Sequence, residues 1–143
     1  MRLTTRSSYG MRALIDMATS YGAQRPVSLK DISRREEISC VYLEQIFNKL
    51  KKCGVVKSVR GPKGGYLLAR DPAEVSALEV VAAVEDSYSG SKCLCGKPAC
   101  ERAHMCASKQ MWDEVTREAR KALGRFSLKR LAEISGDLGL AQK

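Results

Sequence analysis

The stretch from Thr4 to Ala69 carries three short amphipathic helical patterns, followed by two β-prone runs split by a glycine-rich hexapeptide. Few folds accommodate that order in so few residues. Thr4 and Thr5 are placed to cap a first helix running to about Tyr21, with Leu14, Met17, Ala18 and Tyr21 at the i, i+3, i+4, i+7 spacing of one buried face and Gly22 as its stop. Ser28 and Asp31 form a start resembling a capping box, with Asp where Glu or Gln is usual, for a second helix that turns Leu29 and Ile32 inward. Residues 37–40 make the next turn. A third helix is predicted from about Val41 to Lys52, ended by Gly54 in the left-handed position that commonly follows a helix.

That third helix has two faces. Leu43, Ile46, Phe47 and Leu50 form the apolar one, and Tyr42, Gln45, Asn48, Lys49 and Lys52 the polar one. Amides able to pair with base edges, mixed with cations able to neutralise phosphate, are the composition of a DNA-recognition helix. Val55 to Val59 and Tyr66 to Ala69 read as strands of a hairpin whose tip, 60–65, carries Arg60 and Lys63, suited to the minor groove and the phosphate backbone. Three helices closed by such a hairpin predict a winged helix-turn-helix unit over residues 1–71.

Charge agrees with this division. Residues 1–70 hold 14 Lys and Arg against 5 Asp and Glu, a balance of +9, whereas residues 71–143 hold 11 of each. A positive excess confined to one module is the footprint of a phosphate-binding surface. The N-terminal stretch has no apolar core of a secretion signal. Residues 75–84, the most apolar run, are too short to span a bilayer, so a cytoplasmic protein without a membrane partner is expected. No catalytic triad, phosphate loop or paired acid–base group is present, and an enzyme is not expected.

The second half, 72–143, begins with a capping box of Ser76 and Glu79 on a helix expected to turn Leu78, Val81 and Val84 inward. A cysteine-rich loop at about 87–106 follows. A long helix from about Cys106 to Arg125 then aligns Met111, Val115, Ala119, Ala122 and Phe126 on one stripe, with Trp112 and Leu123 beside it. A symmetric partner helix is the simplest cover for that stripe, which predicts a homodimer through the C-terminal helix. The expected fold class is therefore mostly α with a small β-hairpin wing.

Six cysteines in a reducing compartment point to metal binding or reactive thiols rather than disulfides. Cys40 and Cys53 flank the third helix, about 20 Å apart along it, and read as small buried hydrophobes, Cys40 also as an oxidisable thiol. Cys93, Cys95, Cys100 and Cys106 instead form the pattern C-x-C-x4-C-x5-C. Four thiolates in one loop can wrap an iron–sulfur cluster or a zinc ion, and the gaps suit paired zinc knuckles less well. Lys92, Lys97 and Arg102 would offset the thiolate charge. His104, the only histidine, is a further candidate ligand.

MRLT at the start, Tyr42-Leu43-Glu44-Gln45, the run Ser58 to Pro62 leading into Gly64 to Leu68, and the cysteine loop leading into Trp112 together resemble the IscR/NsrR-type winged-helix regulators. The resemblance covers nearly the whole chain. It implies a homodimer on a pseudo-palindromic operator in double-stranded DNA, with the cluster loop near the DNA-binding unit and a long helix crossing to the other subunit. Ser39, Tyr42, Glu44, Gln45, Asn48, Lys49, Lys52, Arg60 and Lys63 would then face DNA, and Glu44 matches an acidic residue implicated in operator discrimination. The likeness is greatest to the branch controlling cluster biogenesis, which implies a repressor of cluster-assembly or iron-homeostasis genes, with a 2Fe–2S cluster favoured over 4Fe–4S.

This chain departs from that family's ligand pattern. The first ligating cysteine is expected at Leu94, between Cys93 and Cys95, and the non-cysteine ligand positions of the two branches hold Lys109 and Ser8. With both of those non-cysteine ligands missing, the expectation is ligation by Cys93, Cys95, Cys100 and Cys106, or by three cysteines with His104. The rival expectations are a zinc site or thiol redox switch on the same DNA binder, and a small iron–sulfur electron carrier, which the recognition-helix pattern disfavours.

Overall fold

The computed structural model describes residues 3–21, 24–85 and 102–139. The first helix, α1 (Thr5–Thr19), is capped by the Thr4 hydroxyl, which accepts from the Arg6 amide, and it ends at Ser20, slightly before the expected Tyr21. α2 (Leu29–Glu36) starts at Ser28, whose hydroxyl accepts from the Asp31 amide at 3.1 Å and donates to the Asp31 carboxylate at 2.8 Å. α3 (Cys40–Lys52) follows and gives way at Gly54 to left-handed backbone, φ 72°.

The wing consists of β1 (Val56–Val59) and β2 (Gly65–Leu68), antiparallel, with Val56 opposite Leu68 and Val59 opposite Gly65. It does not hang free. Val27, just before α2, exchanges both backbone hydrogen bonds with Tyr66 at 2.9 and 2.8 Å, and the Tyr66 ring meets Phe47 edge-on at 4.9 Å. Gly65 makes the approach possible, since a Cβ there would stand 2.4 Å from the Val27 carbonyl oxygen.

α4 (Ala77–Val84) carries the expected capping box, Ser76 and Glu79 each accepting from the other's backbone amide. Its inward face differs from expectation: Ala77, Val80, Val81 and Val84 are buried, and Leu78 is only half-buried. The helix is covered by both α1 and α3, so its inward stripe is centred on 77, 80, 81 and 84 rather than on Leu78. A single 3-10 turn at Ala103–Met105 precedes α5 (Ala107–Gly124).

A last helix, α6 (Leu128–Asp137), has no counterpart in the sequence reading. The Ser127 hydroxyl caps it by accepting from the Arg130 amide, Leu128 is fully buried, and the helix lies along α1. Backbone bonds from Ala77 to the Phe126 carbonyl at 2.8 Å and from Leu128 to that of Val75 at 2.9 Å join the starts of α4 and α6. One apolar core results, with Leu14, Ile32, Leu43, Ile46, Phe47, Leu50, Val80, Val84 and Leu128 all fully buried. Each such side chain contributes about 1.5–3 kcal/mol by leaving water. That core is continuous across Arg70-Asp71. Among the described residues no helix is long and apolar enough to cross a membrane.

Candidate nucleic-acid interface and the root of the cysteine loop

On α3, Glu44, Gln45, Asn48 and Lys52 are exposed, together with Val41. Ser39, the residue before the helix, is exposed and makes no cap hydrogen bond through its side chain. Two residues expected on this polar face lie elsewhere. Tyr42 is half-buried with its ring edge-on to Tyr9 at 5.7 Å, and the Lys49 ammonium donates to the Val84 carbonyl at 3.4 Å. Both occupy the flank of α3 that meets α1 and α4, a position two turns apart that periodicity alone assigns to neither face.

Arg60 and Lys63 are exposed at the wing tip. Among the described residues neither they nor Lys52 forms an ion pair, whereas Arg12 of α1 and Arg34 and Arg35 of α2 are engaged. The Arg35 guanidinium donates to both Asp16 carboxylate oxygens at 2.8 and 2.6 Å, Arg12 pairs with Glu36 at 3.0 Å, and Arg34 with Asp31 at 3.1 Å. The wing tip and the end of α3 thus carry cations free of carboxylate partners, where a helix lodged in a groove would bring phosphates.

Behind α3 sits a polar node that the sequence reading missed. Glu85, immediately after α4, is 7% exposed. One of its carboxylate oxygens accepts from the Thr4 amide at 2.9 Å, the Thr4 hydroxyl at 2.7 Å and the Ser7 hydroxyl at 2.5 Å. The adjacent Val84 carbonyl accepts from Arg6 at 3.3 Å as well as from Lys49. Burial pushes the Glu85 carboxyl upward, but the Ser7 and Thr4 bonds and the nearby Arg6 charge outweigh it and hold the pKa below the ordinary carboxylate value. The last residues before the cysteine-rich segment are therefore tied to the start of α1 and to α3. A carboxylate following the fully buried Val84 was a signal for such partners, because a buried charge needs them.

Of the candidate ligands, Cys93, Cys95 and Cys100 lie outside the described residues. Cys106 is the N-cap of α5, and its sulfur accepts from the Lys109 amide at 3.4 Å. Cysteine sulfur is a soft metal ligand, so this half-buried residue at the end of the cysteine-rich segment fits a cluster or zinc ligand. His104 is exposed in the 3-10 turn just before it. Among the described residues no three metal-ligating side chains converge. Cys40 is half-buried, and Cys53 is exposed, contrary to its reading as a buried hydrophobe. The helix stops at Lys52 and Gly54 turns the chain, which takes Cys53 off the inward stripe it would otherwise continue.

The α5 stripe is open. Met111, Trp112, Val115 and Ala122 are exposed, Ala119 is half-buried, and no residue of the 18-residue helix is buried. Phe126, also exposed, lies two residues past the helix end rather than on it.

Residues 3–134 match the Rrf2 family, described as an iron-dependent transcriptional regulator. The HTH-type transcriptional regulator IscR of Xenorhabdus nematophila is 39% identical, over all of this chain and 86% of its own length. That of Photorhabdus laumondii is 40% identical over 99% of this chain and 85% of its own. Among solved structures, T. potens IscR aligns with TM-score 0.77 at 31% identity, covering 100% of this chain and 94% of that one. CymR, the global cysteine regulator of B. subtilis, aligns with TM-score 0.76 at 29% identity, covering 94% and 98%.

Proposed function

Because the chain belongs to the Rrf2 family of transcriptional regulators, we propose that it is a repressor of cluster-biogenesis or iron-homeostasis genes whose hold on DNA is set by an iron–sulfur cluster. Cys93, Cys95, Cys100 and Cys106 are its ligands in this reading, with His104 replacing one of them if three thiolates serve. The observation that carries the proposal is the Val84–Glu85 node. The root of the ligand-bearing segment is hydrogen-bonded to α1, and through Lys49 to α3, whose exposed side faces the operator.

The residues divide the work by chemistry. Gln45 and Asn48 offer amides to base edges, while Lys52, Arg60 and Lys63 neutralise phosphates and reach the minor groove. Glu44 disfavours binding unless it accepts from a base donor such as cytosine N4, so a small displacement of α3 changes which operators are tolerated. When bound, an iron–sulfur cluster supplies a redox-active group of adjustable potential. Lys49 and Glu85 pass the order of the segment that holds it to the reading head.

Anaerobic purification followed by operator binding tests this reading. A brown protein containing iron and acid-labile sulfide is expected, with an affinity for at least one operator that changes by about 5- to 150-fold on stripping the cluster, the range of ordinary allosteric coupling. A colourless zinc protein, or one affinity for every operator in both states, defeats it.

The same reading makes the protein a homodimer through α5. Trp112→Glu combined with Val115→Glu is expected to give monomers in sedimentation, since two carboxylates would enter a dry interface. Neither side chain is buried within one chain, so folding should survive. A wild-type protein that sediments as a monomer rules the dimer out.

A further inference from the structure

We infer that Val41 reads a thymine methyl group and so fixes one base of each half-site, an inference that rests on the DNA-binding part of the reading above. Val41 is 65% exposed in the first turn of α3. A single exposed valine on a protein surface usually needs no explanation. This one is set apart by its surroundings: between Leu3 and Met105 it is the only large apolar side chain among the described residues that is exposed.

Its position is equally particular. Val41, Glu44, Gln45 and Asn48 fall at i, i+3, i+4 and i+7, one continuous exposed row, while Leu43, Ile46, Phe47 and Leu50 fill the core from the opposite side. Base contacts in helix-turn-helix proteins come from the N-terminal residues of the recognition helix, where Val41 stands. The major-groove edges present donors, acceptors and one apolar group, the C5-methyl of thymine. An amide, a carboxylate and a hydroxyl all find partners among the polar groups, but a valine finds only the methyl. A cytosine or guanine at that position would leave its donor or acceptor facing the isopropyl group without water, so the residue both selects thymine and rejects polar edges.

The test uses the full-length protein, purified anaerobically, and a randomised duplex pool as probe. Wild type is expected to enrich thymine at one position of each half-site, and Val41→Ser to lose that preference while keeping the others. In the selected duplex, replacing that thymine by uracil removes only the methyl group. It should weaken wild type roughly fourfold per half-site, the scale for one buried methyl-sized group, and leave Val41→Ser unaffected. Wild-type binding indifferent to uracil at every thymine, or a serine variant that selects the same thymine, overturns the assignment and leaves DNA recognition standing. A pool in which no sequence is enriched overturns the DNA-binding reading itself, and the assignment with it.

Discussion

Gly64→Ala is expected to destabilise the protein by about 3 kcal/mol, the scale of an unrelieved steric insertion, and to abolish tight DNA binding. A Cβ at this position would stand 2.3 Å from the Val59 carbonyl oxygen, 2.9 Å from that of Gly61 and 3.1 Å from the Arg60 carbonyl carbon. All three are backbone atoms of the same turn, so no side chain can move aside. The clash is relieved only by opening the turn, which breaks the Gly64 amide bond to the Gly61 carbonyl, 2.9 Å, and separates Arg60 from Lys63. For a chain of this size the loss corresponds to a drop of about 6–12 °C in Tm. Gly124→Ala is the control: nothing lies within 4 Å of its Cβ, and the helix should gain up to about 1 kcal/mol. Circular-dichroism melts of the two variants check both values, and a Gly64→Ala protein melting with wild type would contradict the turn.

The second large effect is expected at Glu85. Glu85→Ala removes the common acceptor of the Thr4 amide, the Thr4 hydroxyl and the Ser7 hydroxyl, and should cost about 2–3 kcal/mol, as for hydrogen bonds to a charged group. The pH dependence has a defined sign. The folded pKa is depressed, so the folded protein binds this proton less readily than the unfolded chain. The stabilisation is therefore fully present above the unfolded value of about 4.3 and is lost as pH falls through the lower folded value. Urea unfolding of wild type and Glu85→Gln should differ clearly at pH 7, and the difference should shrink as pH falls below the unfolded value and through the lower folded one. Glu79, also depressed, remains in both proteins, with desolvation opposed by the Ser76 amide and Arg70, and cancels in the comparison. An unchanged gap across that range would mean the Glu85 charge does not anchor α1.

Elements with local signals were legible in the sequence. Ser28 and Ser76 with their partners three residues on, and Gly54 at the end of α3, mark boundaries through bonds made within one turn. The inward faces of α1 and α3 followed from periodicity, which reports how a helix meets its core. α4 read less well because a helix covered on two sides has no sharp polar–apolar edge. α6 went unrecognised although Ser127 is a good cap, since its burial rests mainly on Leu128 and on α1, more than a hundred residues earlier. Long sequence separation also hid Glu85, whose partners are 78 and 81 positions away. Lys49 shows another limit: composition placed it among the DNA-facing cations, but its long side chain at the helix flank reaches the Val84 carbonyl.

α4 is eight residues long, a rod of about 12 Å. One end is stitched by backbone bonds to the corner between α5 and α6, and the other ends in Glu85 beneath α1. A rod that short, with Ala77, Val80, Val81 and Val84 set into the core, does not bend, so it moves as a unit or stays in place. Anything seated on α5 and anything gripped beyond Glu85 would therefore push against opposite tips of the same strut, and neither could shift without the other sensing it.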